Sequence, residues 1–376
     1  MNKIYLDNAA TTAMSSEVLN EMMPYMTSIY GNSSSLHSFG RDALSALDLA
    51  RDRIARGLGC DADEIYFTSG ATEANNWAVR SACSCGKGNN IVVSASEHKS
   101  VLEPVEAMKA QGYTVTHIHP DSNGVISPEA LDAVMTADTC LVCVQSLNNE
   151  TGVIQDVAAI ADVVHRYDAL YMCDAAQSFG HTVQPLHRAD LITISAHKFG
   201  GPKGIGCLVM RYPNFPKPML LGGGQELGMR SGTENLPAIV AFALAAQLSS
   251  LMREEERIRL NHLSTMLVDA IKETDPSVEL HSEGADRYPA IINLRFPGII
   301  GEQMVALLDL EEIYASPGAA CTARDSAPSH VLMAMGCSEQ HARESVRFSI
   351  GRLTTPQEIE TASAAICRIL RNLKGL

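Results

Sequence analysis

The sequence predicts an α/β protein built on a mostly parallel, seven-stranded sheet flanked by helices, with a smaller α+β unit after it. Three observations carry this. Between about residues 60 and 210, seven short β-branched or apolar runs alternate with amphipathic stretches. Most of those runs are apolar almost throughout, which suits strands covered on both faces. A Gly- and Pro-rich break at about 211–236 then ends the alternation, and the elements beyond it follow a different order.

The runs are EIYFT (64–68), NIVVS (90–94), YTVTHIH (113–119), CLVCVQS (140–146), ALYMC (169–173), LITIS (191–195) and GCLVM (206–210). Amphipathic segments at 72–83, 99–110 and 156–167 supply helices between them. Residues 211–236 read as a long surface excursion. Pro237 stands in the first turn of a helical pattern that runs to about Thr274, a position where its missing N–H is not needed. Beyond it come AIINLRF (290–296), a helix from Gly301, IYAS (313–316), short helices near 328–342, VRFSI (346–350) and a last helix from Thr355. This second unit holds roughly 100 residues. There is no internal repeat or low-complexity tract.

Length and composition narrow the function classes. A chain of 376 residues, 46% hydrophobic, can bury a large core in two or three folding units. The formal net charge of −14 argues against nonspecific binding to nucleic acid or anionic lipid. The longest apolar run, 238–246, is well short of the ~20 residues that span a bilayer, so no membrane association is expected. The N-terminal MNKIYLDNAATT has no apolar leader pattern, and the ten scattered cysteines read as reduced thiols. Both point to a cytoplasmic protein.

Sites in open α/β sheets gather at the carboxyl ends of strands. After EIYFT, the turn SGATEAN leads into a helix whose free N–H groups and dipole suit a phosphate, or are simply capped by Ser69 or Thr72. After ALYMC stands Asp174, a carboxylate that needs a facing cation. After LITIS come Ser195, His197 and Lys198 among glycines; the lysine is either a solvated loop residue or a Schiff-base lysine. An Asp on one strand end and a Lys on a later one, with a helix N-terminus for the phosphate, are what a pyridoxal phosphate site needs. The Asp keeps the pyridine nitrogen protonated, and the Lys holds the aldehyde.

Other motifs fail. GGPKGIG has the wrong spacing for a P-loop, and no G-x-G-x-x-G opens a helix after the first strand. Cys140 and Cys143 match C-x-x-C inside a strand, where residues three apart point to opposite faces, so they read as core thiols. His117 and His119 lack a third metal ligand. Two C-terminal features stand out. The polar loop ASPGAACTARDSAPS (315–329) carries a single thiol, Cys321, a nucleophile candidate. Arg347, in an otherwise apolar strand, is either a carboxylate clamp or a stem with a solvated head.

Taken together and in this order, these segments resemble the cysteine desulfurase family of the class V aminotransferase-like, fold-type I pyridoxal phosphate enzymes. The matches are YLDNAATT, SGATEANN, EH at 97–98, NNETG, DAAQ, SAHKFGGPKGIG, GGGQE, RSGTEN, SPGAACTA and VRFSIGR, from residue 5 to residue 352. The resemblance implies a large cofactor-binding unit over 15–255 and a small unit over 256–376, with residues 1–14 as an arm joining it. It implies that Lys198 is the Schiff-base lysine, that Asp174 pairs with the ring nitrogen and that Gln177 hydrogen-bonds the phenolic oxygen. His98 would stack on the ring and assist proton transfer. Ala71, Thr72, Ser195 and His197 would hold the phosphate, and Thr233 would reach that of the other subunit in a homodimer. Asn149 and Arg347 would grip the substrate carboxylate.

Cys321 would take the sulfur of L-cysteine as a persulfide, releasing L-alanine. A long polar loop suits a thiol that must visit the cofactor and then an acceptor protein. The loop resembles the long-loop branch, whose acceptors are iron–sulfur scaffolds and tRNA-modification proteins, and in which the loop cysteine is also a transient iron–sulfur ligand. The chain departs from the family at Ser33, Pro317 and Ala319, where other residues are usual. Selenocysteine lyase or cysteine sulfinate desulfinase, with the same cofactor, is the alternative reading.

Overall fold

The computed structural model describes residues 3–85, 87–211, 217–317 and 327–375. The strands are β1 (Ile4–Tyr5), β2 (Ile65–Thr68), β3 (Asn90–Ser94), β4 (Thr114–Ile118), β5 (Thr139–Cys143), β6 (Leu170–Asp174), β7 (Leu191–Ser195), β8 (Gly206–Met210), β9 (Glu279–Leu280), β10 (Ile291–Arg295), β11 (Ile313–Tyr314) and β12 (Ser345–Ser349). The helices are α1 (Ser16–Thr27), α2 (Ser38–Leu58), α3 (Ala71–Cys85), α4 (Lys99–Ala107), α5 (Pro128–Val134), α6 (Val157–Arg166), α7 (Leu236–Thr274), α8 (Gly301–Asp309), α9 (His330–Ala334), α10 (Glu339–Arg343) and α11 (Pro356–Lys374). Helices α1, α2 and α5 were not anticipated from the sequence.

The seven predicted runs all become strands of one sheet, in the order β2-β8-β7-β6-β5-β3-β4. Only β8 runs against its neighbours, β2 and β7; every other pair is parallel. Successive side chains feed two cores, as a period of two requires. On β8, Cys207 and Val209 join the core shared with α2, α6 and the first half of α7, while Leu208 and Met210 join the core under α3 and α4. Trp77 of α3 is 1% exposed and meets Tyr66 edge-on at 5.5 Å. Truncating it to Ala would cost about 3–5 kcal/mol through the cavity left behind.

One expectation fails on this face. Cys140 and Cys143 do not point to opposite sides; both join the core under α3 and α4. The pairing of β3 with β5 slips between Asn90 and Ile91, and an extra residue there restores both thiols to one face. They are core thiols all the same, each buried, with Cys140 Sγ donating to the Asn90 carbonyl at 3.4 Å. His117 and His119 are satisfied too, by Glu106 at 2.7 Å and the Ala334 carbonyl at 3.3 Å.

A separate hydrophobic core holds the second half of α7, with α8, α11 and the antiparallel sheet β12-β10-β9. Ile4, Leu6 and Ala9 of the N-terminal arm belong to it, and β1 pairs in parallel with β11. Helix α7 thus threads both cores. Over part of its 39 residues it is apolar enough to cross a bilayer by length and composition, although no single apolar run is that long. Half of that stretch is buried inside the protein, with Ala241, Phe242 and Ala243 fully covered by the sheet core, so its apolarity is accounted for by packing. Helix α11 starts on a capping box, Thr355 with Glu358, and stops at Gly375 in the left-handed conformation, φ 68°.

His281 follows β9 and contacts the Ser345 hydroxyl at 3.0 Å. Burial pushes its pKa down to about 4. The unfolded chain therefore takes up a proton near pH 6.5 that the folded chain refuses until about pH 4, so stability falls as pH drops through that window. By pH 4.5 the loss should reach roughly 2 kcal/mol for this residue. Urea unfolding followed across that range should show a shallower decline in His281→Gln than in the parent protein; equal slopes would contradict the assignment.

Candidate active site

The carboxyl ends of β3, β5, β6 and β7 lie along one edge of the large sheet. Because β8 opposes both neighbours, β2 runs parallel to β7 and delivers the N-terminus of α3 to that same edge. A cavity of about 590 Å³ opens there. Ten of the residues singled out in the sequence line it: Ala71, Thr72, His98, Asn149, Asp174, Gln177, Ser195, His197, Lys198 and Arg347.

Asp174 ends β6 and is nearly buried. Its Oδ1 accepts the Ala176 N–H at 2.9 Å and its Oδ2 accepts the Asn75 amide at 2.8 Å, so both oxygens act as acceptors. Lys198 closes a single 3₁₀ turn after β7, and its Nζ donates to the carbonyls of Ala9 at 2.6 Å and Ala10 at 3.1 Å. Gln177 donates to the same Ala9 carbonyl at 2.7 Å. The arm carrying YLDNAATT is thereby drawn against the lysine, and Thr11 meets His197 Nδ1 at 3.1 Å. Burial, reinforced by the charges of Lys198 and Lys203, lowers the His197 pKa to about 4, so this ring is neutral at pH 7.

The turn before α3 is built for close backbone approach. Gly70 has φ 150°, and a Cβ on Gly206 would lie 2.8 Å from the Gly70 Cα. The Ser195 hydroxyl sits 3.6 Å from where a Gly70 Cβ would be. Glu73 accepts the Ser69 N–H at 2.9 Å and pairs with Arg230, which ties the loop preceding α7 to this turn. The α3 N-terminus, Ser195 and His197 line one cavity, and free N–H groups at a helix start suit an anion.

Arg347 is not the snorkelling residue that one reading allowed. It is 1% exposed, on β12, with Nη2 donating to Asp7 Oδ1 at 2.8 Å and Nη1 to the Asn149 carbonyl at 3.0 Å. Its buried Nε has no hydrogen-bond partner among the described residues. Arg347 thus stands at the cavity wall with a buried donor that no described residue satisfies.

One predicted residue is placed elsewhere. Thr233 is exposed on the loop before α7 and does not line the cavity. Cys321 lies outside the described residues. Farther along the chain, the Ser329 hydroxyl donates to Glu150, and His330 Nε2 is 2.8 Å from the Glu97 carbonyl. Sequence reasoning passed over Asn75 and Ser100, both buried beside the cavity. The signal for Asn75 was available: it falls on the apolar stripe of α3 with Ala74, Ala78, Val79 and Ala82, where an unpartnered amide would be costly.

The geometry can be set against known proteins. The model of the class-V aminotransferases matches residues 4–361. Cysteine desulfurase IscS of Rickettsia bellii is 40% identical over 380 residues, which span 99% of this chain and 92% of that one. The chain belongs to the cysteine desulfurase family. A solved structure described as a NifS-like protein superposes with a TM-score of 0.92 at 32% identity, covering 99% of this chain and all of that one. Another, described as SspA in complex with cysteine, has a TM-score of 0.79 at 31% identity, covering 93% of this chain and 99% of that one. The desulfurase is thus α/β and an enzyme, with the fold of its relatives along its whole length.

Arg347 also bears on stability in this desulfurase. Replacing it with Met leaves the Asp7 carboxylate and the Asn149 carbonyl without their donor. Because Asp7 keeps 19% of its side chain exposed, the loss should be about 2 kcal/mol, below the 3–5 expected for a fully buried pair. Denaturant unfolding should register it, and an unchanged midpoint would show that the pair contributes nothing.

Proposed function

We propose that this enzyme takes the sulfur from L-cysteine with pyridoxal 5'-phosphate as its cofactor, releasing L-alanine and leaving a persulfide on Cys321. One observation carries the reading: Lys198, Asp174, an anion cradle and a buried, half-satisfied arginine face a single cavity. Those residues fit the cofactor. A carboxylate whose oxygens both accept matches a protonated ring nitrogen, the amine of Lys198 matches an aldehyde, and the cradle at α3 matches a phosphate. When bound, pyridoxal phosphate supplies an electron sink that stabilises negative charge on the carbon beside the amine.

The chain's own residues do the rest. Arg347, at the cavity wall and held by Asp7 and the Asn149 carbonyl, would offer its remaining guanidinium N–H groups to the substrate carboxylate. His197, neutral and hydrogen-bonded to Thr11, would add a donor or acceptor to the cradle without adding charge. His98 would cover one face of the ring. The Cys321 thiolate would attack the substrate sulfur, so that an S–S bond forms as the C–S bond breaks and the carbon takes up a proton. The relative described in complex with cysteine supports that substrate class.

The persulfide then needs an acceptor protein, an iron–sulfur scaffold or a tRNA-modification protein. A second copy of the chain fits the apolar face left by Leu19, Met23 and Met26 of α1 with Tyr30 and Leu36, all exposed. Thr233, exposed and not part of its own cavity, would serve the partner's phosphate.

Cys321→Ala should abolish sulfide release from cysteine yet leave the protein yellow, and full activity would remove the thiol from the reaction. Lys198→Ala should lose the visible absorbance; an unchanged spectrum would overturn the lysine's role. After incubation with cysteine, mass spectrometry should find one added sulfur on Cys321. Undiminished turnover of selenocysteine by Cys321→Ala, together with a parent enzyme that prefers selenocysteine, would favour a selenocysteine lyase instead.

A further inference from the structure

Behind the cavity wall, a hydrogen-bond relay passes through Asn75, which is fully buried. Its Nδ2 donates to Asp174 Oδ2 and to Ser100 Oγ, both at 2.8 Å, while its Oδ1 accepts the Thr193 hydroxyl at 2.6 Å. Ser100 Oγ lies 2.7 Å from His98 Nδ1. Chemistry orders the donors. A carboxylate only accepts, so the amide presents its NH₂ to Asp174, and its second hydrogen points at Ser100. The Ser100 hydroxyl, receiving that hydrogen, turns its own proton to His98.

A second contact fixes the histidine independently. His98 is the N-cap of α4, and the Ser100 backbone N–H donates to the same Nδ1 at 3.1 Å. A backbone amide is always a donor, so Nδ1 carries no proton, and in the neutral ring the proton resides on Nε2. Protonating Nδ1 would break the helix cap and set two donors against each other. Every polar atom of Asn75 is used, which is how a fully buried amide is tolerated.

We propose that Asn75 is a positioning residue of this site: it aligns the Asp174 carboxylate and, through Ser100, holds His98 as a neutral imidazole protonated on Nε2. The relay joins the group assigned to the ring nitrogen with the group assigned to the ring face, so neither can reorient without disturbing the other. The functional meaning rests on the cofactor reading above, whereas the state of the His98 ring belongs to the chain itself.

The test is nitrogen-15 NMR of the full-length protein labelled at histidine, with His98 assigned by the signal lost in His98→Gln. At pH 7 the ring should show a protonated Nε2 and a bare Nδ1. A doubly protonated ring, or one protonated on Nδ1, would overturn the proposal. Ser100→Ala should move the Nδ1 resonance further from the value of a protonated nitrogen, and Ser100→Thr, which keeps the hydroxyl, should not. Asn75→Leu should move it in the same sense and lower kcat on cysteine by about tenfold, with a smaller change in KM. An Nδ1 resonance unmoved in both Ser100→Ala and Asn75→Leu would remove Asn75 from the relay. Should Asn75→Leu fail to fold, Ser100→Ala decides the point, since it deletes one hydroxyl in the first turn of α4. A protein that binds no pyridoxal phosphate but shows this tautomer and this response to Ser100→Ala would sink the cofactor reading and uphold the relay.

Discussion

The direction of β8 governs the site. Set between β7 and β2 and antiparallel to both, it turns β2 parallel to the body of the sheet. The amino end of α3 therefore emerges beside the carboxyl ends of β6 and β7, which bear Asp174 and lead to Lys198. Were β8 parallel to β7, with β2 still paired antiparallel to it, α3 would leave from the opposite edge. The anion cradle and the two charged groups would then be separated by the length of a strand, about 17 Å for five residues. The close fit of Gly206 against Gly70 lies at this crossing, where any side chain would push the turn out of the cavity.

The second constraint is the closure of the cavity by parts far apart in the chain. The arm at Asp7 to Thr12, the β5 loop at Asn149 and β12 at Arg347 meet through direct hydrogen bonds. Arg347 is too buried to be held by solvent, and two of its three nitrogens are committed to these neighbours. That arrangement holds the guanidinium in place before any ligand arrives, so little rotamer entropy is left to lose on binding. The same bonds tie together segments that share one hydrophobic core, since Leu6, Leu147, Val346 and Phe348 all belong to it.

Around the cavity, polar groups are buried with partners in hand. Glu97 accepts the Gln145 N–H at 2.6 Å, and burial drives its pKa well above the usual carboxylate range. Glu150 takes the Ser329 hydroxyl, and the Asn293 amide donates to the Glu150 carbonyl at 3.1 Å. These contacts anchor the chain just before α9.

Much of this was legible in the residues themselves. A strand announces itself by local chemistry, and seven apolar runs separated by amphipathic segments were enough to predict the sheet, its mostly parallel sense and the strand ends where Asp174 and Lys198 stand. Motif spacing carried the cysteine desulfurase resemblance, which the relatives bear out. Other features depend on contacts between distant segments, and no local pattern encodes them. The reversal of β8, the slip that brings Cys140 and Cys143 to one face, the burial of Arg347 with an unpaired Nε and the relay through Asn75 are of this kind. A side chain's partner is set by which backbones pack against it, and packing is settled only when the whole chain has folded.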